Sequence, residues 1–166
     1  MSRKEENDLI KGSLTAKDLD NVLPPKEHLK KGAVSVLECV ERFPCNVCEK
    51  VCPVKAILKK SLVDPPVVNW NKCTGCGICL GRCPGLAIFM VDLSMTGENG
   101  VVTIPYEFLP LPKEGEEVIA TDRKGKPLES GTVSEVSLLE SNLALVSIVV
   151  SKQIAEDVRN IRRIKG

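Results

Sequence analysis

The sequence predicts an α+β chain in which a small cysteine-rich unit with a pseudo-twofold internal repeat precedes a small antiparallel β-barrel-like domain and a C-terminal helix. Three observations carry this. The eight cysteines fall in two runs, Cys39-x5-Cys45-x2-Cys48-x3-Cys52-Pro53 and Cys73-x2-Cys76-x2-Cys79-x3-Cys83-Pro84, with none left over. Cys45, Cys48 and Cys52 recur 31 residues later as Cys76, Cys79 and Cys83, and Ala56-Ile57 recurs as Ala87-Ile88, the signature of a duplicated unit. Residues 113–150 alternate apolar and polar side chains in short runs separated by turn residues, as antiparallel strands do.

Composition narrows the function classes. With 166 residues the chain makes one ordinary domain or two small ones. Its 23 basic and 22 acidic residues balance, and aromatics are only 3% of the chain, so neither a polyanion-binding surface nor a base-stacking platform is visible, and no nucleic-acid partner is expected. The N-terminus is polar and lacks an apolar run of signal-peptide length, and no stretch approaches the ~20 apolar residues of a membrane span. A cytoplasmic location is the expectation. Thiols stay reduced there, so clustered cysteines point to metal before disulfides.

Four segments follow in order. Residues 1–33 read as an arm with short helices. Thr15 can cap one helix that Pro24-Pro25 ends, and a second starts at Pro25 and stops at Gly32. His28, the single histidine, has no cysteine or acidic partner at helical spacing and reads as a surface residue.

Residues 34–92 form the cysteine-rich unit: a strand before Cys39, short helices over 46–51 and 77–82, a hairpin of 56–58 with 67–69, and a last strand over 87–91 that can pair with the first. Residues 93–112 read as a proline-punctuated connector holding a short strand at 101–104. Residues 113–166 are expected as three or four strands closing a small barrel, then a helix from Lys152 to about Asn160 capped by Ser151, then a solvated basic tail of Arg159, Arg162, Arg163 and Lys165.

The chemistry lies in the cysteines. Soft thiolates select zinc or iron–sulfur clusters. Zinc sites usually pair one C-x2-C with a distant second pair or with histidines, whereas C-x2-C-x2-C-x3-C-P wraps three thiolates around one iron–sulfur cube and sends the fourth to another. Gly75 and Gly77 allow close backbone approach to inorganic sulfide. Gly75-x-Gly77-x3-Gly81 misses the dinucleotide-binding spacing by one residue and lies inside the cysteine loop, so it is not a nicotinamide or flavin signal. A lone histidine excludes a Ser/His/Asp set, and no catalytic residue is assigned.

Residues 34–92 resemble the bacterial two-[4Fe-4S] ferredoxin family. The resemblance implies a ferredoxin-like two-cluster fold, with Cys39, Cys45, Cys48 and Cys83 on cluster I and Cys73, Cys76, Cys79 and Cys52 on cluster II. One feature departs from the family: its spacing would put the first cysteine at Arg42, three residues after Cys39. A longer loop, turned back by Phe43-Pro44, can still deliver that thiolate. Without it the site would hold three irons or take another ligand. A unit this small buries little, so cluster binding is expected to hold it folded.

The whole chain is similar to the iron–sulfur subunits of multi-subunit flavin-dependent dehydrogenases of the amino-acid, proline, opine or hydroxyproline type. Glu38-Cys39, Cys83-Pro84-Gly85-Leu86-Ala87-Ile88-Phe89, Pro105 to Pro112 and Val158-Arg159-x-Ile161-Arg162 carry that similarity. It implies an electron-transfer subunit that relays single electrons, a flavoprotein partner holding FAD or FMN, often a small [2Fe-2S] subunit, and no substrate chemistry on this chain. Between residues 34 and 90, seven basic residues (Arg42, Lys50, Lys55, Lys59, Lys60, Lys72 and Arg82) stand against four acidic ones (Glu38, Glu41, Glu49 and Asp64), unlike the acidic face of a diffusing carrier. The alternatives are a free-standing two-cluster ferredoxin with an accessory β domain and, further off, an iron–sulfur regulator binding nucleic acid.

Overall fold

A computed structural model describes residues 14, 16–19, 22–139 and 143–164. The element order is α1 (Ala16–Leu19), α2 (Lys26–Leu29), β1 (Val34–Leu37), α3 (Val47–Val51), β2 (Ile57–Leu58), β3 (Val67–Val68), α4 (Ile78–Arg82), β4 (Ile88–Asp92), β5 (Asn99–Tyr106), β6 (Glu117–Thr121), β7 (Pro127–Leu138), β8 (Ala144–Ser151) and β9 (Asn160–Arg163). The Thr15 cap, residues 1–13 of the N-terminal arm and Lys165 lie outside the described residues. Among the described residues no helix is long and apolar enough to cross a membrane.

Seven of the described strands form one antiparallel sheet in the order β1-β4-β5-β8-β7-β6-β9, and β2 and β3 make a separate hairpin. Residues 93–112 are therefore more than a connector. Their strand β5 is long, pairs with β4 on one side and β8 on the other, and joins the cysteine-rich unit to the C-terminal strands. Pro105 is tolerated because it lies beyond the β4 register, where β5 needs no donor on that side. Register shifts in β6 and β7 bend the sheet, and the chain after β5 returns to β9 through Arg163, which bonds the Pro110 carbonyl at 3.1 Å.

β5 alternates buried with less buried residues, as a strand with one apolar face does, and β8 does the same except at Ser147, which is also buried. Every residue of β1, and all of β4 but its last, is buried, because the β1–β4 pair is a wall between two cores. Val34, Val36, Phe89 and Val91 face a large core with Val102, Val118, Val146, Ile148 and Val158. Leu37, Ile88 and Met90 face a smaller core with Ile57, Val68 and Leu80, onto which five cysteines pack.

The C-terminal helix expected over Lys152 to Asn160 is absent. The chain makes turns there and then forms β9. Ser151 does not cap: Glu129 takes its N–H at 2.6 Å and its hydroxyl at 3.1 Å. Ala155 and Val158 have helical spacing, yet they plug the large core from an irregular segment, so tertiary burial overrides local periodicity. The expected solvated tail is also corrected: Arg159 is buried, and Arg163 pairs with Glu116.

Candidate metal centre

The duplicated sequence builds the same local backbone twice. α3 and α4 are single-turn helices packed on each other, each ended by a Cys-Pro step. Proline disfavours helix at the residue before it, so Cys52 (φ −71°, ψ 110°) and Cys83 (φ −73°, ψ 113°) are both extended and leave their helices. Three residues on, Lys55 (φ 51°) and Leu86 (φ 50°) both turn left-handed. At the start of α4, Gly77 (φ +72°) supplies a left-handed turn with open space around it. Gly75 (φ +70°) is more constrained, since a side chain there would lie 2.4 Å from the Ala33 carbonyl oxygen. The nearest demand for glycine at position 75 is thus the backbone of the residue before β1.

Two cavities result. Cys39, Cys45, Cys48 and Cys83 line the first, of about 380 Å³, with Glu38 and Lys59. Cys52, Cys73, Cys76 and Cys79 line the second, a narrow cleft walled by Ser35, Ile57 and Met90. Each cavity takes three thiols from one run and one from the other. Cys39 lines the first despite its longer spacing. His28 lines neither.

The eight cysteines are free thiols, Cys79 buried and Cys76 exposed. Burial pushes the Cys79 thiol up to about 12, reinforced by Cys73 and Cys76. Burial likewise pushes Cys48 up to about 11, against a backbone N–H that pulls it down. Cys39 is raised by burial and by Cys83, with Lys59 opposing. Metal must displace these protons, so loading is coupled to proton release. Donors already point at sulfur: the Ala56 N–H reaches Cys52 Sγ at 3.2 Å, and the Ser35 hydroxyl lies 3.5 Å from Cys73 Sγ. The Lys59 ammonium donates to the Cys45 carbonyl, tying β2 to the first loop.

This donor set fits iron–sulfur clusters. Each cavity offers four soft thiols, as a cube requires. Among the described residues no three Cys, His, Asp or Glu side chains are grouped so as to hold a single metal ion.

One feature escapes sequence reasoning. The Glu38 carboxylate, 7% exposed, sits between two guanidinium groups. Arg123 donates to it through Nη2 at 2.7 Å and Nε at 3.0 Å; Arg159 donates through Nε at 2.8 Å, with its Nη2 2.6 Å away in ion-pair contact but in no hydrogen bond. Arg159 also lies 4.7 Å from the Phe89 ring centre. Arg123 extends the network to Asp157 and the Glu156 carbonyl. No local spacing relates residues 38, 123 and 159; only the fold joins them.

Comparison with known proteins agrees with the donor set. Residues 66–89 match the 4Fe-4S binding domain family. The chain is also similar to the ferredoxin-type protein NapF of Haemophilus influenzae, at 40% identity over 72 residues that cover 42% of this chain. That alignment spans 40% of the relative's length. No solved structure matches. What the comparisons support is thus confined to part of the chain: residues 66–89 carry a 4Fe-4S binding-domain match.

Proposed function

We propose that this chain is an electron-transfer subunit holding two [4Fe-4S] clusters, and that it relays single electrons to or from a flavoprotein dehydrogenase subunit in a hetero-oligomeric complex. The observation that carries the reading is the sorting of eight thiols into two quartets with one member exchanged. Cys39, Cys45, Cys48 and Cys83 hold cluster I; Cys52, Cys73, Cys76 and Cys79 hold cluster II. When bound, the clusters supply reversible one-electron chemistry. The chain's own residues do the rest. Leu37, Ile57, Leu80, Ile88 and Met90 keep water from the cysteines packed on them, and Ala56 and Ser35 stabilise thiolate charge on Cys52 and Cys73.

Charge supports a fixed partner. Glu38 is neutralised by arginines, Asp64 pairs with Arg42 at 2.6 Å, and Glu49 accepts the Lys59 backbone N–H, while Lys50, Lys55, Lys60, Lys72 and Arg82 are exposed. These exposed basic residues outnumber the exposed acid Glu41 and suit an acidic partner surface. The β2–β3 hairpin adds an apolar patch: Leu58 and Val67 are cross-strand partners, and both are exposed beside Leu62 and Val63. FAD or FMN would sit on that partner, with a [2Fe-2S] subunit as a further member, in the reducing cytoplasm where these thiols persist.

Two measurements test this. Anaerobically purified protein is expected to carry eight irons and eight sulfides and to give EPR signals of two interacting centres after dithionite reduction. Cys83→Ser is expected to abolish cluster I alone, and Cys52→Ser cluster II alone. Zinc in place of iron would refute the metal assignment. Size exclusion of native extract with iron detection is expected to place the chain in a particle far above its own 18.1 kDa. An iron peak at the monomer mass would favour the free-standing ferredoxin instead.

A further inference from the structure

We propose that Arg123 and Arg159 are positioning residues for the first thiol quartet: by clamping Glu38 they fix Cys39 at the mouth of its long loop, and their surplus positive charge raises the potential of cluster I above that of cluster II. The inference rests on the cluster assignment proposed above and gives the C-terminal strands a role in the electron path.

Cys39 begins a loop of unusual length, and the residues after it are loosely held. Residues 41–44 are exposed, and the Arg42–Asp64 pair sits at the surface. Its position must therefore be set from the other side, by Glu38. There the constraint is strong. The Glu38 N–H bonds the Ala87 carbonyl at 2.8 Å, and its carboxylate is gripped by arginines 85 and 121 residues further along the chain. Arg123 follows β6 and Arg159 precedes β9, so two strands of the large core hold the residue next to a cluster ligand. Arg159 (4% exposed) is fixed further by the Phe89 ring, and Arg123 (13% exposed) by the Glu156 carbonyl. The forked Arg123 guanidinium on a buried carboxylate holds direction as well as distance, and the Arg159 Nε adds a third donor.

The charge is asymmetric between the sites. Glu38, Glu41 and Lys59 line the first cavity, and Arg123 and Arg159 stand behind Glu38, outside that lining. Asp157, which also pairs with Arg123, is 61% exposed, and water screens it. The second cavity has no charged residue in its lining. Reduction adds an electron, so an excess of buried positive charge favours the reduced state and lifts the potential. Electrons would then settle on cluster I and leave from it, next to Lys59.

The test uses the full iron-loaded chain with Arg159→Gln, Arg159→Lys and Arg123→Gln. Arg123→Gln, at the less buried of the two arginines, carries the test should Arg159→Gln fail to fold by far-UV circular dichroism. EPR-monitored redox titration is expected to show one midpoint lowered in both glutamine variants and the other unmoved, with Cys83→Ser identifying the shifted one as cluster I. Iron release to a chelator is expected to accelerate roughly tenfold from cluster I, through a three-iron intermediate with its own EPR signature, and not from cluster II. Arg159→Lys keeps the charge but not the Nε donor fixed beside Glu38, so it is expected to keep the midpoint and still lose iron faster. Unchanged midpoints and release rates in the glutamine variants would overturn the proposal, as would equal acceleration at both sites, which would mark general loosening. Wild-type protein lacking two clusters would instead overturn the assignment on which this rests.

Discussion

Ile148→Ala probes whether the two cores act as one. Ile148 is fully buried in β8, between Val102 of β5 and Val133 of β7. Its Cγ2 sits 2.8 Å from where a side chain at Gly131 would begin, so it fills space that its neighbour leaves open. Truncation removes three carbons, about 2.4 kcal/mol of transfer free energy at ~0.8 kcal/mol each. The glycine opposite cannot fill the gap, and the cavity brings the cost to about 3–4 kcal/mol. For a chain of this length that corresponds to an apparent melting temperature roughly 10 °C lower. Two signals are followed during anaerobic heating of iron-loaded protein at one scan rate: far-UV circular dichroism for the sheet and iron–sulfur absorbance for the clusters. The mutation lies outside the cysteine-rich unit, but β1 and β4 wall both cores, so both signals are expected to move down together. Bleaching at the wild-type temperature while the sheet melts early would refute the shared wall.

Other expectations are briefer. Gly75→Ala is expected to impair cluster II loading and stability well beyond Gly77→Ala: both incur the left-handed cost of about 1–2 kcal/mol, but only position 75 drives a methyl into the Ala33 carbonyl, and equal effects in urea melts would contradict this. Trp70, the single tryptophan, donates its indole N–H to the Ser35 carbonyl at 3.2 Å, and the Ser35 hydroxyl lies beside Cys73; its fluorescence is expected to be quenched in iron-loaded protein and to recover on iron removal, and a signal indifferent to iron would remove cluster II from that neighbourhood. In the reduced, metal-free chain the buried thiols of Cys48 and Cys79 titrate above their ordinary value of 9.0, so the unfolded chain releases their protons first and stability falls from pH 9 upward towards 12; a denaturation midpoint that is flat with pH over that range would contradict it, and Cys79→Ala should shallow the fall.

The cysteine-rich unit was legible because its signals are local. Cys-Pro steps, glycines and a 31-residue offset act within a few residues, and they recur in the backbone as paired extended cysteines and paired left-handed turns. The strands of residues 113–150 were legible from alternation for the same reason. What failed was decided at long range. Residues 152–160 carry helical spacing, yet Ala155 and Val158 are pulled into the large core and Glu129 occupies Ser151. Arg159 sits in a basic tail by sequence and in a buried ion pair by structure, because its partner lies 121 residues away. Residues 93–112 looked like a connector because prolines crowd them, while β5 gains its place from neighbours on both sides that no window of sequence contains.

The wall shared by both cores also limits how the chain can be divided. A fragment ending after β4, cut to isolate a minimal cluster carrier, would bare Val34, Val36, Phe89 and Val91 on one side of a two-stranded ribbon. Such a piece would be sticky and prone to self-association however well its thiols were filled. A shortened version for electrode or pathway engineering would need those four positions rewritten with polar residues, or the downstream strands kept in place.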